Sequence, residues 1–356
     1  MTIEEIAARI ETPDRSFWSK AQERLDRLTK PQGSLGRLEE LAARYVMLTG
    51  KTKPTVPRAA VFTFAADHGI AKDGVSAYPQ EVTAQMVLNF LRGGAGVNVL
   101  AQHAGAEVRV VDIGVAGEFP VLPRLIQRKV AAGTKNFLRE PAMTKEQARD
   151  AVETGIVLAM EAVRDGIGIL GTGDMGIGNT TASAAIAAVL TGEPAASVTG
   201  RGTGIDDDMM RHKIAVIEQA LARHRPDHND ALDVLAKIGG FEIAGIAGLI
   251  LGGAAARVPI VLDGFISGAA ALVAVGLAPA CRDYLIASHR SVECGHDAVL
   301  ARLDLMPLLD LQLRLGEGTG ACLGISLLKA AIKIYGQMAT FDEAGVSGAE
   351  ARAGQC

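Results

Sequence analysis

The sequence predicts an α/β protein: a doubly wound, mostly parallel sheet of Rossmann-like type, with a small helical domain built from both chain ends. Three observations carry this expectation. Short apolar runs rich in β-branched residues, each ending in polar residues or glycine, alternate with stretches of helical period. Hydrophobic residues make up 49% of the chain and aromatics only 4%, with 41 glycines, so small and branched side chains must fill a core of strands under closely packed helices. At 356 residues the chain can bury one large core and a smaller one.

Taken in order, residues 3–12 and 16–28 read as helices, and GRLEELAARYVMLTG (36–50) as a third with a glycine stop. Pro54 and Pro57 mark a boundary. RAAVFTFAADHG (58–69) is an apolar, β-branched and aromatic run ending in polar residues, the pattern of a parallel strand that opens into a functional loop. AEVRVVDIGVAG (106–117), GIGILGTGDMG (166–176), RVPIVLDGF (257–265) and DYLIASHRS (283–291) repeat it. Helical stretches lie between, at 80–104, 144–164, 178–190, 207–223, 242–256 and 266–278. The expected division is a large α/β domain over 55–310, a small helical domain from 1–54 plus 311–340, and a flexible tail over 341–356. The helical end segments have no sheet of their own to cover, so they are expected to pack together and bring residue 317 over the sheet's carboxyl edge.

Several function classes drop out on composition. A net charge of −4 offers no basic patch for nucleic acid. GFISGAAALVAVGLAPAC (264–281) is uncharged and approaches spanning length, but its alanines and glycines drive insertion weakly and Pro279 interrupts its end. It reads as a buried helix, and no membrane association is expected. Cys281, Cys294, Cys322 and Cys356 show no C-x-x-C pairing and no histidine at zinc spacing, so neither a disulfide framework nor a metal is expected. The acidic, amphipathic start MTIEEIAARIETPD lacks a basic targeting region, and a cytoplasmic location follows as the expectation. GKT at 50–52 has the tail of a P-loop but follows a helix, so it reads as a helix stop. DDD at 206–208 opens a helical run, where carboxylates complement the N-terminal dipole.

In doubly wound sheets ligands bind beyond the carboxyl ends of the strands. Those ends hold Asp67 and His68, Asp112, Thr172 to Gly176, Asp263 and Gly264, and Ser288 to Ser291. GTGDMGIGNTTAS (171–183) matches the dinucleotide template G-x-G-x-x-G, with a strand before it and a helix after. The acid that such a site needs about twenty residues on is missing, because residues 191–200 read TGEPAASVTG. What remains is glycine-rich backbone followed by Asn179, Thr180 and Thr181 at a helix start, which offers N–H groups, hydroxyls and a positive dipole end to an anion. A tight strand-to-helix turn with an Asn or Thr cap fits the same residues. In LRLGEGTGACLGISLLKAA (313–331), Glu317 stands between two glycines in apolar surroundings. Burial disfavours its charged form and raises its pKa toward the range useful for proton transfer. A glutamate compensating a helix dipole is the alternative.

KPQGSLGRLEEL (30–41), AADHGI (65–70), GTGDMGIGNTTAS (171–183), KIGGFEIAGIAG (237–248), LDGFISGAAAL (262–272) and RLGEGTGA (314–321) together resemble the nicotinate-nucleotide:dimethylbenzimidazole phosphoribosyltransferase family, from about residue 20 to about residue 335. The resemblance implies an enzyme of cobalamin lower-ligand synthesis that moves the phosphoribosyl group of nicotinate mononucleotide to dimethylbenzimidazole. Nicotinate and alpha-ribazole 5'-phosphate would be the products, with no cofactor and no metal. It implies Glu317 of the LGEG motif as the base that deprotonates the benzimidazole, and Asp174 as an acid facing the ribose or the developing charge. Contacts to the 5'-phosphate and ribose fall at Gly176, Asn179, Thr180, Gly202, Lys213 and Ser291, with Lys213 as the cation. Pro79 and Gln80 in SAYPQEVTAQ (76–85), with Leu315, belong to the apolar slot for the base, and Asp263 holds loop architecture. A homodimer is expected, since the apolar helices leave surface for one. Two rival readings stand beside this one: an NAD-dependent oxidoreductase, suggested by the glycine match, and a non-catalytic nucleotide-binding sensor on the same fold.

Overall fold

The computed structural model describes residues 1–202 and 204–347. Strands β1 (Arg58–Ala66), β2 (Ala106–Gly114), β3 (Leu125–Gln127), β4 (Ile167–Met175), β5 (Ile260–Leu262) and β6 (Leu285–Ala287) form one sheet in the order β3-β2-β1-β4-β5-β6. Every neighbouring pair is parallel. The chain winds outward from β1 to one edge and then from β4 to the other, so the doubly wound expectation holds and the switch point lies between β1 and β4. Every residue of β1 after Arg58 is buried, as a central parallel strand covered on both faces requires.

Differences from the sequence reading have local causes. β3 is three residues at the sheet edge, too short to leave a period. The helices Ala231–Ile238 and Gly295–Leu303 lie in stretches the alternation left unassigned. The stretch 80–104 is two helices, Val82–Arg92 and Gly96–Ala104, because Gly93 turns left-handed at φ 82° and closes the first. Gly50 caps the helix Arg37–Thr49 in the same way, and Asp206 caps Asp207–His224 by accepting the Met209 N–H at 2.9 Å, which accounts for GKT and DDD. The uncharged run at 264–281 forms the helix Phe265–Leu277, buried over its first ten residues. No helix among the described residues is long and apolar enough to cross a membrane.

Packing divides the chain into two units. The first joins Met1–Thr12 to Arg58–Ser326; the second joins Pro13–Pro57 to the chain from Leu327 onward. Residues 1–12 and 311–326 thus go with the sheet, where the sequence reading groups them with the helical ends. Ile3 and Ile6 are buried in the first unit on a helix that meets Phe241–Ala255, and the turn around residue 317 is tied to Thr63 in β1 and to Asp263 just past β5. In the second unit the Lys30 ammonium and Glu39 carboxylate pair at 2.8 Å, both buried, and Glu39 also accepts the Leu35 N–H, so the KPQGSLG motif serves folding there. Thr340 caps a short helix, Phe341–Ala344, within the stretch read as a tail; residues 348–356 of that stretch lie outside the described residues.

The sheet is covered by helices Lys145–Arg164 and Phe241–Ala255, which touch backbone to backbone. A Cβ placed on Gly248 would lie 1.8 Å from the Val152 carbonyl oxygen, and one on Gly155 would lie 2.0 Å from that of Gly245. Main-chain atoms cannot swing aside as a side chain can, so Gly248→Ala is expected to force the helices apart at a cost of about 1–3 kcal/mol. Thermal unfolding followed by circular dichroism checks this. The midpoint should fall in Gly248→Ala and stay unchanged in Gly117→Ala, where the nearest atom is an Ala84 methyl at 3.9 Å. Equal midpoints would rule out close helix contact.

Candidate active site

A cleft of about 450 Å³ opens in the first unit, beyond the carboxyl ends of β4, β5 and β6. β4 delivers Asp174 and Gly176, the turn after β5 delivers Gly264 and Phe265, and the segment after β6 delivers His289 and Ser291. Strand direction alone explains the convergence, since parallel strands present all their following loops on one edge.

Glu317 lines this cleft from the turn that precedes helix Thr319–Gln337. Gly316, Glu317 and Gly318 are consecutive residues of positive φ, at 78°, 64° and 104°. The glutamate's own left-handed conformation costs about 1–2 kcal/mol, so the surroundings must hold it. Its carbonyl accepts the Thr63 hydroxyl at 2.8 Å. Its carboxylate Oε2 accepts the Val97 N–H at 3.3 Å, at the start of helix Gly96–Ala104. Gly96 leaves room for this approach, since a Cβ there would stand 2.9 Å from the end of the Leu315 side chain and 3.5 Å from Glu317 Oε2. Burial raises the Glu317 pKa above the ordinary glutamate value, against the opposing N–H groups of Val97 and Gly96.

Asp174 is buried at the cleft wall, and its pKa is pushed well above the ordinary aspartate range, first by burial and then by the Asp263 and Glu242 carboxylates. Asn179 donates to it at 3.0 Å. Asp263 does not line the cleft. Its Oδ2 accepts the Gly318 N–H at 2.9 Å, and its Oδ1 accepts those of Gly320 and Ala321 at 2.7 and 3.3 Å. Burial pushes its pKa up to about 7 despite these three donors. Among the described residues, no group of three or more histidines, cysteines or acids is placed to hold a metal ion.

Thr180, Gly202 and Ser291 line the same cleft. Lys213 lies just behind them: only 1% exposed, its ammonium donates to the Thr180 hydroxyl at 2.8 Å and to the Gly200 carbonyl at 3.2 Å. A Cβ on Gly202 would sit 3.4 Å from that ammonium, so a side chain there would crowd the corner. Burial lowers the Lys213 pKa to about 8, while the Glu293 carboxylate favours the charged form. Glu293 Oε1 also accepts the Gly202 N–H at 2.9 Å. The His296 ring is held neutral, lowered to about 3 by burial and then by His289, and its Nδ1 accepts the Ser291 N–H at 2.8 Å.

The residues singled out by sequence are thus mostly gathered. Glu317, Asp174, Gly176, Asn179, Thr180, Gly202, Ser291 and Leu315 border one cavity, and Lys213 backs it. Pro79 and Gln80 do not line it. Pro79 is exposed and Gln80 turns to the Asp67 carboxylate, while their neighbours Tyr78 and Val82 face the cleft with Met86. The helical turn starting at Glu81 directs this alternation, which a loop reading could not resolve. His289 and Tyr78 fall within stretches the sequence reading placed at the site, at a strand end and in the base-slot segment, without singling them out, and Glu293, farther past β6, is a cleft residue it did not name.

The glycines of GTGDMG also change meaning. Gly171 and Gly173 lie inside β4 rather than in a turn. A Cβ on Gly173 would stand 2.3 Å from the Glu317 carbonyl oxygen, and one on Gly176 would stand 2.4 Å from that of Ala66. The first of these glycines makes room for the Glu317 turn, and the template match to a dinucleotide site is a coincidence of spacing.

Comparison with known proteins identifies the family. Residues 10–346 match the family described as Phosphoribosyltransferase. The chain is 63% identical over 346 residues to the nicotinate-nucleotide–dimethylbenzimidazole phosphoribosyltransferase of Roseiflexus sp. (strain RS-1), covering 97% of this chain and 98% of that protein. It is 60% identical to the protein of the same name from Geobacter sulfurreducens, over 94% of this chain and 95% of that one. The crystal structure of CobT from Thermus thermophilus superposes with a TM-score of 0.89 at 51% identity, over 93% of this chain and 99% of that one. With relatives this similar over nearly its whole length, the chain belongs to the nicotinate-nucleotide–dimethylbenzimidazole phosphoribosyltransferase family of enzymes.

Proposed function

We propose that the chain transfers the phosphoribosyl group of nicotinate mononucleotide to a ring nitrogen of dimethylbenzimidazole, with Glu317 as general base. The observation that carries this reading is a buried carboxylate with a raised pKa, fixed in a strained turn, in the same cleft as Thr180, Gly202 and Ser291. The pyridinium of the donor is a cationic leaving group, so nicotinate departs with the electron pair of the glycosidic bond. Positive charge grows on the ribose as the imidazole nitrogen attacks the opposite face, which inverts the configuration. The other nitrogen must lose its proton, or the product is a cation that reverts easily. Glu317 takes it.

The surroundings favour such a transition state. Asp174 sits where three further carboxylates act on it, a setting that disfavours its charge until a cation arrives. A pyridinium or a developing oxocarbenium would supply that cation and favour the ionised form of Asp174. Asn179, Thr180, Gly202 and Ser291, with the Lys213 charge behind Thr180, suit the 5'-phosphate. Gly176, whose glycine is required by Ala66, contributes backbone at the same edge. Leu315 and Tyr78 stand 60% and 55% exposed at the cleft, apolar surface that a flat bicyclic base would cover, at about 25 cal/mol per Å² before binding costs. Pro79 and Gln80 act by fixing the segment that presents Tyr78. The oxidoreductase reading loses its motif to strand packing, and a sensor has no need of a buried base.

The test is direct. Purified chain with nicotinate mononucleotide and dimethylbenzimidazole should form nicotinate and alpha-ribazole 5'-phosphate in equal amounts by chromatography, and calorimetry should show binding of nicotinate mononucleotide. Binding of NAD alone, with no product, would overturn the reading.

A further inference from the structure

We propose that Asp263 and Thr63 are positioning residues for Glu317, clamping its turn from just past β5 and from within β1 so that the carboxylate is aimed into the cleft. The inference rests on the reading of Glu317 as the base. Three successive positive φ values are not a conformation the turn would keep unaided. The main-chain polar groups around it are taken up from below. Thr63, in β1, donates to the carbonyl of Glu317 itself, 254 residues away in sequence. Asp263, just past β5, accepts from the next residue, Gly318, and then from Gly320 and Ala321 at the start of the following helix. The main chain is thus held on both sides of the glutamate's side chain.

The clamp is itself anchored. The Asp263 N–H donates to the Thr172 hydroxyl at 3.0 Å, and Thr172 donates in turn to Ser267 at 2.8 Å. The Asp263 carbonyl accepts the Ser288 hydroxyl at 3.2 Å. Thr63, Asp263, Thr172, Ser267 and Ser288 are all buried, so water does not compete for these bonds. Neither Asp263 nor Thr63 lines the cleft, which leaves them no direct contact with substrate. Residue chemistry is specific as well. Three N–H donors converge on two carboxylate oxygens, and an asparagine would turn an NH₂ group toward one of those donors.

A double-mutant cycle tests this. Asp263→Asn is expected to lower kcat on the order of 10²-fold, because a base misplaced by an ångström loses about that much. The KM for nicotinate mononucleotide should stay within about twofold, since the phosphate corner is not touched. Thr63→Val should lower kcat in the same sense and Thr63→Ser should restore it. In a Glu317→Gln background neither Asp263→Asn nor Thr63→Val should lower the residual kcat further, because there is no base left to aim. Equal losses in both backgrounds, or losses confined to donor KM, would overturn the proposal. If Asp263→Asn fails to fold, the Thr63 pair decides alone. Wild-type turnover in Glu317→Gln by itself would overturn the assignment of the base, and this proposal with it.

Discussion

Replacing Glu317 by glutamine is expected to leave the fold and the binding of nicotinate mononucleotide intact and to cut turnover by about 10²–10⁴-fold, the usual contribution of a general base. Glutamine has the same shape, and its carbonyl oxygen can still accept the Val97 N–H that holds the carboxylate now. What it cannot do is take a proton. The loss should therefore fall in kcat, with donor affinity by calorimetry unchanged. The wild-type enzyme should show an acid limb in its pH profile. Burial raises the Glu317 pKa, so the base is lost by protonation at a higher pH than an ordinary glutamate would be. As pH falls through that raised value, turnover falls with it. The glutamine variant should lack this limb, because its residual rate has no carboxylate to titrate there. A variant as fast as the wild type would remove Glu317 from the reaction.

The fold was legible because parallel strands advertise themselves. The runs at β1, β2 and β4 are nine residues long; β1 and β4 are buried along nearly their whole length and β2 over its second half. β5 and β6 were legible in place but not in length, since three paired residues in each carry a register while the flanking apolar residues are simply buried. The site was legible where chemistry is unusual for its surroundings, as with an acid between two glycines. It was misleading where one residue type serves two purposes. Gly171 and Gly173 read as a phosphate turn, yet their missing side chains admit the Ile325 side chain and the Glu317 carbonyl, contacts about 150 residues away in sequence. No local pattern encodes that. Lys213 is the converse case: within an amphipathic helix it reads as solvated surface, and only the tertiary fold buries it against Thr180. The backbone clamp on the Glu317 turn was half visible, in an aspartate at a strand end, and half hidden in Thr63, which is an ordinary strand former by composition.

Removing the Lys213 ammonium should weaken nicotinate mononucleotide more than any other change at the phosphate corner. A buried charge hydrogen-bonded at a binding site is worth at least about 2 kcal/mol on truncation, roughly 30-fold in affinity. Lys213→Ala is the direct test, and Lys213→Met keeps most of the buried stem so that lost packing is separated from lost charge. Affinity should fall in both, while kcat at saturating donor should change little. The sign of the pH dependence follows from the environment. Burial lowers the Lys213 pKa to about 8, so the ammonium discharges as pH rises through that value and donor affinity should decline above it. The phosphate monoester takes its second charge near pH 6, at about its ordinary second pKa, so attraction should be greatest between these two limits. Bound phosphate will itself favour the ammonium and carry the alkaline limb upward in the complex. In Lys213→Met that limb should vanish, leaving only the weaker ionisation of the phosphate. Were the affinity and its pH profile unchanged in both variants, the anion would have to bind elsewhere, and the assignment of Thr180, Gly202 and Ser291 to the phosphate would fail together with that of Lys213.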